Sequence, residues 1–262
     1  MVIYKHPVEW YLDKLNNNEP FSVAHYGDGE WQCIFNTIEK RFRANCEGTE
    51  YTPELSKAMR NSLDFKSDNF YFATPDVFLD KEYKFFSDNI DRITDIKFVD
   101  KQVWNKAMYK AELYPLISAL RKKNVCIISN KMMRGLSFLN YDKFIEIDYP
   151  NCFHQVEDVA KQILEYGKEG VYIFACGVPA SLFIQAVHGK IPNSWFIDFG
   201  SIWDGFVGIG GQRPTRREFY LHPETWLEWV NTNIGDLDGG WGRSMPKVHW
   251  HGMGSLDINP NL

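Results

Sequence analysis

The sequence predicts a layered α/β domain, a mostly parallel sheet flanked by helices, with an irregular C-terminal extension. Three observations carry this expectation. Short apolar runs alternate with amphipathic stretches up to about residue 200, the pattern of strands and helices that pack in layers. Two runs, 124–129 (NVCIIS) and 170–175 (GVYIFA), are nearly all apolar, as strands buried on both faces of a parallel sheet must be. Apolar runs also end on glycine-containing turns, where a chain leaves a strand and can enter a helix.

The elements follow in order. Residues 7–16 place Val8, Tyr11, Leu12 and Leu15 at helical spacing behind Pro7, a favourable first-turn residue. Asn16 to Pro20 stops that helix, and Phe21 to His25 reads as the first strand. It ends on Tyr26-Gly27-Asp28-Gly29-Glu30, a sharp turn with a helix expected from about Trp31. Thr52-Pro53-Glu54 opens a helix over 53–64 with Thr52 as its N-cap. Further strands are expected at 69–73, 95–99, 124–129, 143–147, 170–175 and 194–198, with helices at 80–90, 101–120, 154–166 and 179–188. Beyond Gly200 the texture changes to Gly, Trp, Pro and His, with one helix at about 223–232. The expected division is therefore 1–204 for the α/β domain and 205–262 for an extension that binds an acceptor or packs. The sequence holds no internal repeat and no low-complexity segment.

Composition narrows the function classes. The chain has 262 residues, 44% hydrophobic and 24% charged, which suits a packed core rather than disorder. Aromatic residues make up 16%, with nine Trp and thirteen Tyr; such rings suit stacking on sugars or bases and equally suit a core. A net charge of −5 argues against nucleic acid as the main partner, although the basic cluster Arg213-Pro214-Thr215-Arg216-Arg217 keeps a local phosphate contact open. Five cysteines, at 33, 46, 126, 152 and 176, form no C-x-x-C pair and read as reduced thiols. The start carries no export-type apolar region and no run approaches the ~20 apolar residues of a membrane span. The expected location is the cytoplasm, or a host's cytoplasm for a viral protein.

Chemistry concentrates in three places. In Tyr26-Gly27-Asp28-Gly29-Glu30-Trp31 two carboxylates flank one glycine. In an extended turn, residues i and i+2 share a face, so both would point into one pocket at the carboxyl end of a strand, where α/β sheets bind ligands. Hard oxygen donors of this kind suit Mg²⁺ or Mn²⁺, which also take oxygens from a diphosphate. A plain surface turn is the alternative. Second, Phe174-Ala-Cys-Gly177-Val-Pro179-Ala-Ser181 is a buried strand entering a glycine turn and a helix, whose free N–H groups suit a phosphate. It lacks the dinucleotide and P-loop fingerprints, which disfavours a nucleotide-binding oxidoreductase. Third, Trp195-Phe-Ile-Asp198-Phe-Gly200-Ser201 ends a strand on an acid. Asp198 there would contact a sugar or ribose hydroxyl, receive a proton, or cap the following segment.

The phrase FSVAHYGDGEW, followed by GVPASLFIQAVHGKIPNSWFIDFGS, resembles the GT-D-fold glycosyltransferase family, formerly a domain of unknown function. That family shows an R-[FY]-G-D-G-E turn carrying a D-x-E motif, a glycine-led strand-to-helix turn, and a strand ending in D-[IL]-G. The resemblance runs over roughly residues 8 to 204 in order and spacing. It implies a Rossmann-like domain that transfers sugar from a UDP-sugar with Mn²⁺ or Mg²⁺. On that resemblance Asp28 and Glu30 are the donor and metal residues, and Gly27 and Gly29 shape the turn. The resemblance puts Asp198 in the donor cleft; the expected catalytic set is Asp28, Glu30 and Asp198, with His25, Tyr26, Gly177, Pro179 and Ser181 expected from their positions in the turns to line the donor site. His25 stands where the family has an arginine, and residues 205–262 match nothing in it.

Two tail motifs compete for attention. Asp236-Leu237-Asp238 has the D-x-D spacing of other metal-dependent glycosyltransferases, but it follows a helix exit rather than an apolar strand. His249-Trp250-His251, with Trp241, is expected to serve an acceptor rather than to hold an ion. The leading expectation is a glycosyltransferase acting on an unidentified hydroxyl acceptor, a glycan, a glycoprotein, a lipid-linked sugar or a modified nucleobase. The competing one is a non-catalytic carbohydrate-binding or virion-associated module.

Overall fold

Strand residues that are apolar on both faces need cover on both sides, and the chain supplies it. The computed structural model describes residues 2–39, 43–45, 47–75, 88, 93–109 and 113–207. Eight strands form one sheet among them: Ile3–Tyr4 (β1), Ser22–His25 (β2), Phe70–Thr74 (β3), Phe98–Asp100 (β4), Val125–Ser129 (β5), Lys143–Glu146 (β6), Val171–Ala175 (β7) and Trp195–Asp198 (β8). Their order is β1-β4-β3-β2-β8-β7-β5-β6, and every neighbouring pair is parallel. The expected parallel α/β architecture is what the chain adopts.

The helices are Val8–Asn16 (α1), Asp28–Glu39 (α2), Pro53–Asn61 (α3), Val103–Tyr109 (α4), Leu113–Leu120 (α5), Val156–Tyr166 (α6) and Ala180–Val187 (α7). One apolar layer joins Leu12 and Leu15 of α1, Trp104 of α4 and Leu116 and Leu120 of α5 to Val23, Ile127, Ile173 and Ile197 of the sheet. The other joins Trp31 of α2, Met59 of α3, Ile163 of α6 and Phe183 of α7 to Ala24, Phe72, Ile128, Phe174 and Phe196. Alternate residues of each strand thus enter opposite layers, as the two-residue strand repeat dictates. Each fully buried Leu, Ile or Phe contributes roughly 1.5–3 kcal/mol relative to exposure, so these two layers hold the sheet between them.

Where the structure departs from expectation, the causes are local. β1 has two residues, too few for any periodicity, and exists because Ile3 and Tyr4 pair with Phe98 and Val99. Within the stretch 101–120 the described helical residues are Val103–Tyr109 and Leu113–Leu120. α2 begins at Asp28, three residues ahead of the expected start. Thr52 caps α3 as expected, its side chain accepting from the Leu55 N–H at 3.1 Å. The helices expected at 80–90 and 223–232 fall wholly or largely outside the described residues, as do positions 208–262 of the extension. Cys33, Cys126, Cys152 and Cys176 are free and buried. No helix among the described residues is long and apolar enough to cross a membrane.

Candidate functional site

β2 and β8 lie side by side, pairing Ser22 with Phe196 and Val23 with Ile197. β8 in turn pairs with β7, Asp198 opposite Phe174. The three turns singled out in the sequence therefore open at neighbouring carboxyl ends of one parallel sheet, where such sheets bind ligands.

The first turn is not extended. Because α2 starts at Asp28, Asp28 and Glu30 sit in its first turn, and on a helix residues two apart do not face each other. The expectation that both carboxylates enter one pocket from an extended turn is corrected here. Glu30 folds back, its Oε2 accepting the Gly27 N–H at 2.7 Å, the arrangement of the acidic half of a capping box. Asp28 instead faces outward with a side chain 83% exposed, and the Lys101 Nζ lies 3.8 Å from its Oδ1. The His25 Nδ1 is 3.9 Å from Glu30 Oε2. Packing at this corner explains Gly27: a Cβ there would lie 2.8 Å from His25 Cε1, 3.0 Å from Glu30 Oε2 and 3.3 Å from Lys101 Nζ.

β8 closes the same corner. Gly200 takes φ +63° and its N–H donates to Asp198 Oδ1 at 2.8 Å, which keeps Asp198 almost fully buried. The His25 ring would lie 3.2 Å from any Cβ on Gly200, so His25 is wedged between two glycine turns. Burial is the main force on both inner carboxyls. It pushes Glu30 up to about 7, opposed by a bond to its own N–H and by Lys101, and reinforced by Glu47 and Asp28. It pushes Asp198 well above the usual carboxylate range, against hydrogen bonds from Gly200 and His25 and with help from Glu30 and Glu47.

Glu47 reaches the site on a loop that spans the first and second motifs. Asn45 Oδ1 accepts the N–H groups of Glu47 at 3.0 Å and Thr49 at 2.8 Å. Thr49 Oγ1 donates to the Pro150 carbonyl at 3.1 Å, and Tyr149 donates to Glu47 Oε2 at 3.0 Å. Tyr51 donates to the Gly29 carbonyl at 2.9 Å. A Cβ on Gly29 would lie 3.5 Å from the Asn45 Cβ, and one on Gly177, at φ +65°, 3.6 Å from Thr49 Oγ1 and 3.8 Å from Glu47 Oε2. Pro179 is the N-cap of α7.

Asp28, Glu30, His25, Gly27, Gly29 and Asp198 are thus brought together, with Gly177 and Pro179 across the loop. Tyr26 and Ser181 are not in that group. Both are fully buried: Tyr26 Oη is 2.7 Å from Ser62 Oγ, and Ser181 Oγ is 3.4 Å from Met59 Sδ. Their side chains pack inside, against Ser62 and α3, rather than toward the turns. Lys101 and Glu47 carry no motif that marks them in the sequence: the first follows Asp100 at the exit of β4 and the second lies in a loop. Trp241, Trp250, His249, His251, the 236–238 D-x-D and the 213–217 cluster lie outside the described residues.

Among the described residues no three His, Cys, Asp and Glu side chains could hold an ion by themselves. Asp28 and Glu30 are hard oxygen donors, and Mg²⁺ is often bound through one or two carboxylates plus substrate phosphates. As they stand they do not converge; both would reach one ion, shared with a diphosphate, only with Glu30 released from the Gly27 N–H and turned toward Asp28.

Sheet order defines a parallel α/β protein with glycine turns at the neighbouring carboxyl ends of β2, β7 and β8. Three solved structures share this fold. One is a selenomethionine-substituted structure of domain of unknown function 1792, with TM-score 0.56, 18% identity, and coverage of 76% of this chain and 79% of that one. A second is described as a new glycosyltransferase of the same domain from Streptococcus sanguinis, with TM-score 0.54, 17% identity and coverage of 77% and 82%. The third is described as showing that this domain has a distinct glycosyltransferase fold, with TM-score 0.56, 16% identity and coverage of 87% and 82%. No family profile matches the sequence, and comparison with curated proteins finds no relative. At these identities it is the fold that is shared.

Proposed function

We propose that this protein is a metal-assisted glycosyltransferase that moves a sugar from a nucleoside diphosphate donor, a UDP-sugar, to a hydroxyl acceptor. The observation that carries the reading is the placing of Glu30, close enough to feel the charges of both Asp28 and Asp198, at the carboxyl ends of the adjacent strands β2 and β8. The sharing of this fold with proteins described as glycosyltransferases supports it. In the reaction the bond from the sugar C1 to the diphosphate oxygen breaks, a bond to the acceptor oxygen forms, and the acceptor proton passes to a base. Asp28 and Glu30 would hold Mn²⁺ or Mg²⁺, which when bound neutralises charge on the leaving diphosphate. Gly27 lets the chain approach closely, Glu30 ties the start of α2 to the turn, and Asp198 faces a donor hydroxyl or takes the proton.

The test is donor binding with and without metal. UDP and Mn²⁺ together should raise the melting temperature more than either alone; a ligand at a hundred times its Kd adds about 2.7 kcal/mol. An equal shift by UDP in the presence of a chelator would remove the metal from the reading. Asp28→Asn and Glu30→Gln should each abolish sugar transfer in a folded protein, and activity within about tenfold of wild type in both would overturn the assignment.

A further inference from the structure

β4 delivers a cation to a corner otherwise built from carboxylates. Its last residue, Asp100, is buried, and its Oδ1 accepts the Gln102 N–H at 2.8 Å while Oδ2 pairs with Lys106 Nζ at 2.9 Å. The Lys101 N–H donates to the Thr74 carbonyl at 3.0 Å, and Thr74 Oγ1 is held by Trp31 Nε1 at 3.0 Å. The backbone around Lys101 is therefore fixed on both sides, and its side chain runs back over the sheet to Gly27. Its side chain is only 13% exposed, yet its ion-pair partner is an Asp28 carboxylate 3.8 Å away and 83% exposed. Such a loose, solvated pair contributes little by itself, whereas withdrawing an ammonium from water is costly unless a strong acceptor meets it. The N-terminus of α2 opens beside it, and first-turn N–H groups lack intrahelical acceptors and favour an anion.

We infer that Lys101 is a phosphate-binding residue, its ammonium meeting the donor diphosphate at the start of α2. This rests on the donor reading above and adds a residue to it. A lysine at this place acts as a compact point charge with rotatable donors, well suited to a diphosphate that also shares an ion with Asp28. It also offsets negative charge from the carboxylates around it, Asp28 foremost, which would otherwise repel the ligand.

Binding is measured by calorimetry with UDP and with inorganic pyrophosphate, in Mn²⁺, for wild type, Lys101→Gln, Lys101→Arg and the control Lys161→Gln. Lys101→Gln should weaken both ligands by about tenfold or more, the size of one charge-assisted hydrogen bond. Lys101→Arg should recover most of the loss, and Lys161→Gln, a change at an exposed lysine of α6, should bind as wild type does. In the wild type, either ligand should also protect Lys101 from acetylation read by mass spectrometry, which needs no variant to fold. Binding by Lys101→Gln within twofold of wild type, or acetylation at an unchanged rate under saturating ligand, overturns the inference. Lys101-dependent binding of pyrophosphate without binding of UDP would leave the phosphate role standing and remove the UDP reading; binding of neither would remove both.

Discussion

Gly27 and Glu30 show how one corner serves both fold and site. A methyl group on Gly27 would meet the His25 ring at 2.8 Å and the Glu30 carboxylate at 3.0 Å, so the constraint is space rather than backbone angle. Gly27→Ala should cost about 1–3 kcal/mol as an overpacked site and should lose donor binding as the Glu30 carboxylate is displaced; chemical denaturation and calorimetry check the two effects. Glu30 makes a separate prediction. Burial raises it from 4.5 to about 7, so the folded protein keeps a proton that the unfolded chain releases. That contribution to stability is full below about 4.5 and is lost as the pH rises through about 7, and Asp198 acts in the same direction. Glu30→Gln retains an acceptor for the Gly27 N–H and should flatten the decline in melting temperature across that window. An unchanged slope would show that Glu30 is not the buried titrating group. Donor binding through the metal needs the ionised form, so it should strengthen over the same rise in pH.

At the level of elements, two local devices set where the site stands. Glu30 at the third helical position reaches back to Gly27, which draws the start of α2 forward to Asp28. The residues for this were visible in Gly27-Asp28-Gly29-Glu30, yet the two glycines equally describe a turn, and local propensity cannot rank one over the other. The loop around Asn45 is the second device. Its Oδ1 holds two backbone N–H groups, at roughly 1 kcal/mol each. Asn45→Ala should therefore lower stability by about 1–2 kcal/mol while reducing transfer more than tenfold, because Glu47 and Thr49 leave their places over Gly177. A drop in activity no larger than the fraction unfolded would mean that the loop only packs. Thr52, in contrast, was legible as an N-cap from T-P-E and is one; Thr52→Ala should cost about 1 kcal/mol with transfer unchanged in the folded fraction.

On the scale of the whole molecule, the proposed reading assigns the donor to the α/β body and the acceptor to the tail. Trp241 and Trp250 lie among glycines, with His249 and His251 beside them, and aromatic faces stack on sugar rings. In Trp241→Ala and Trp250→Ala, hydrolysis of the donor should persist while transfer falls; equal loss of both in a folded protein would place these residues at the donor instead. What the sequence by itself determined is local: β2 to β8 follow from apolar runs, and α1, α3, α6 and α7 from helical spacing and caps. Such features depend on neighbours a few residues away, and the chain states them directly. Only the tertiary structure decided that β8 lies beside β2, that Glu30 is buried while Asp28 is exposed, and that Tyr26 and Ser181 belong to the core. It also brought Glu47 and Lys101 to the same corner from elements far apart in the chain. Pairing order and burial are set by the packing of all layers at once, so no single stretch of sequence carries them.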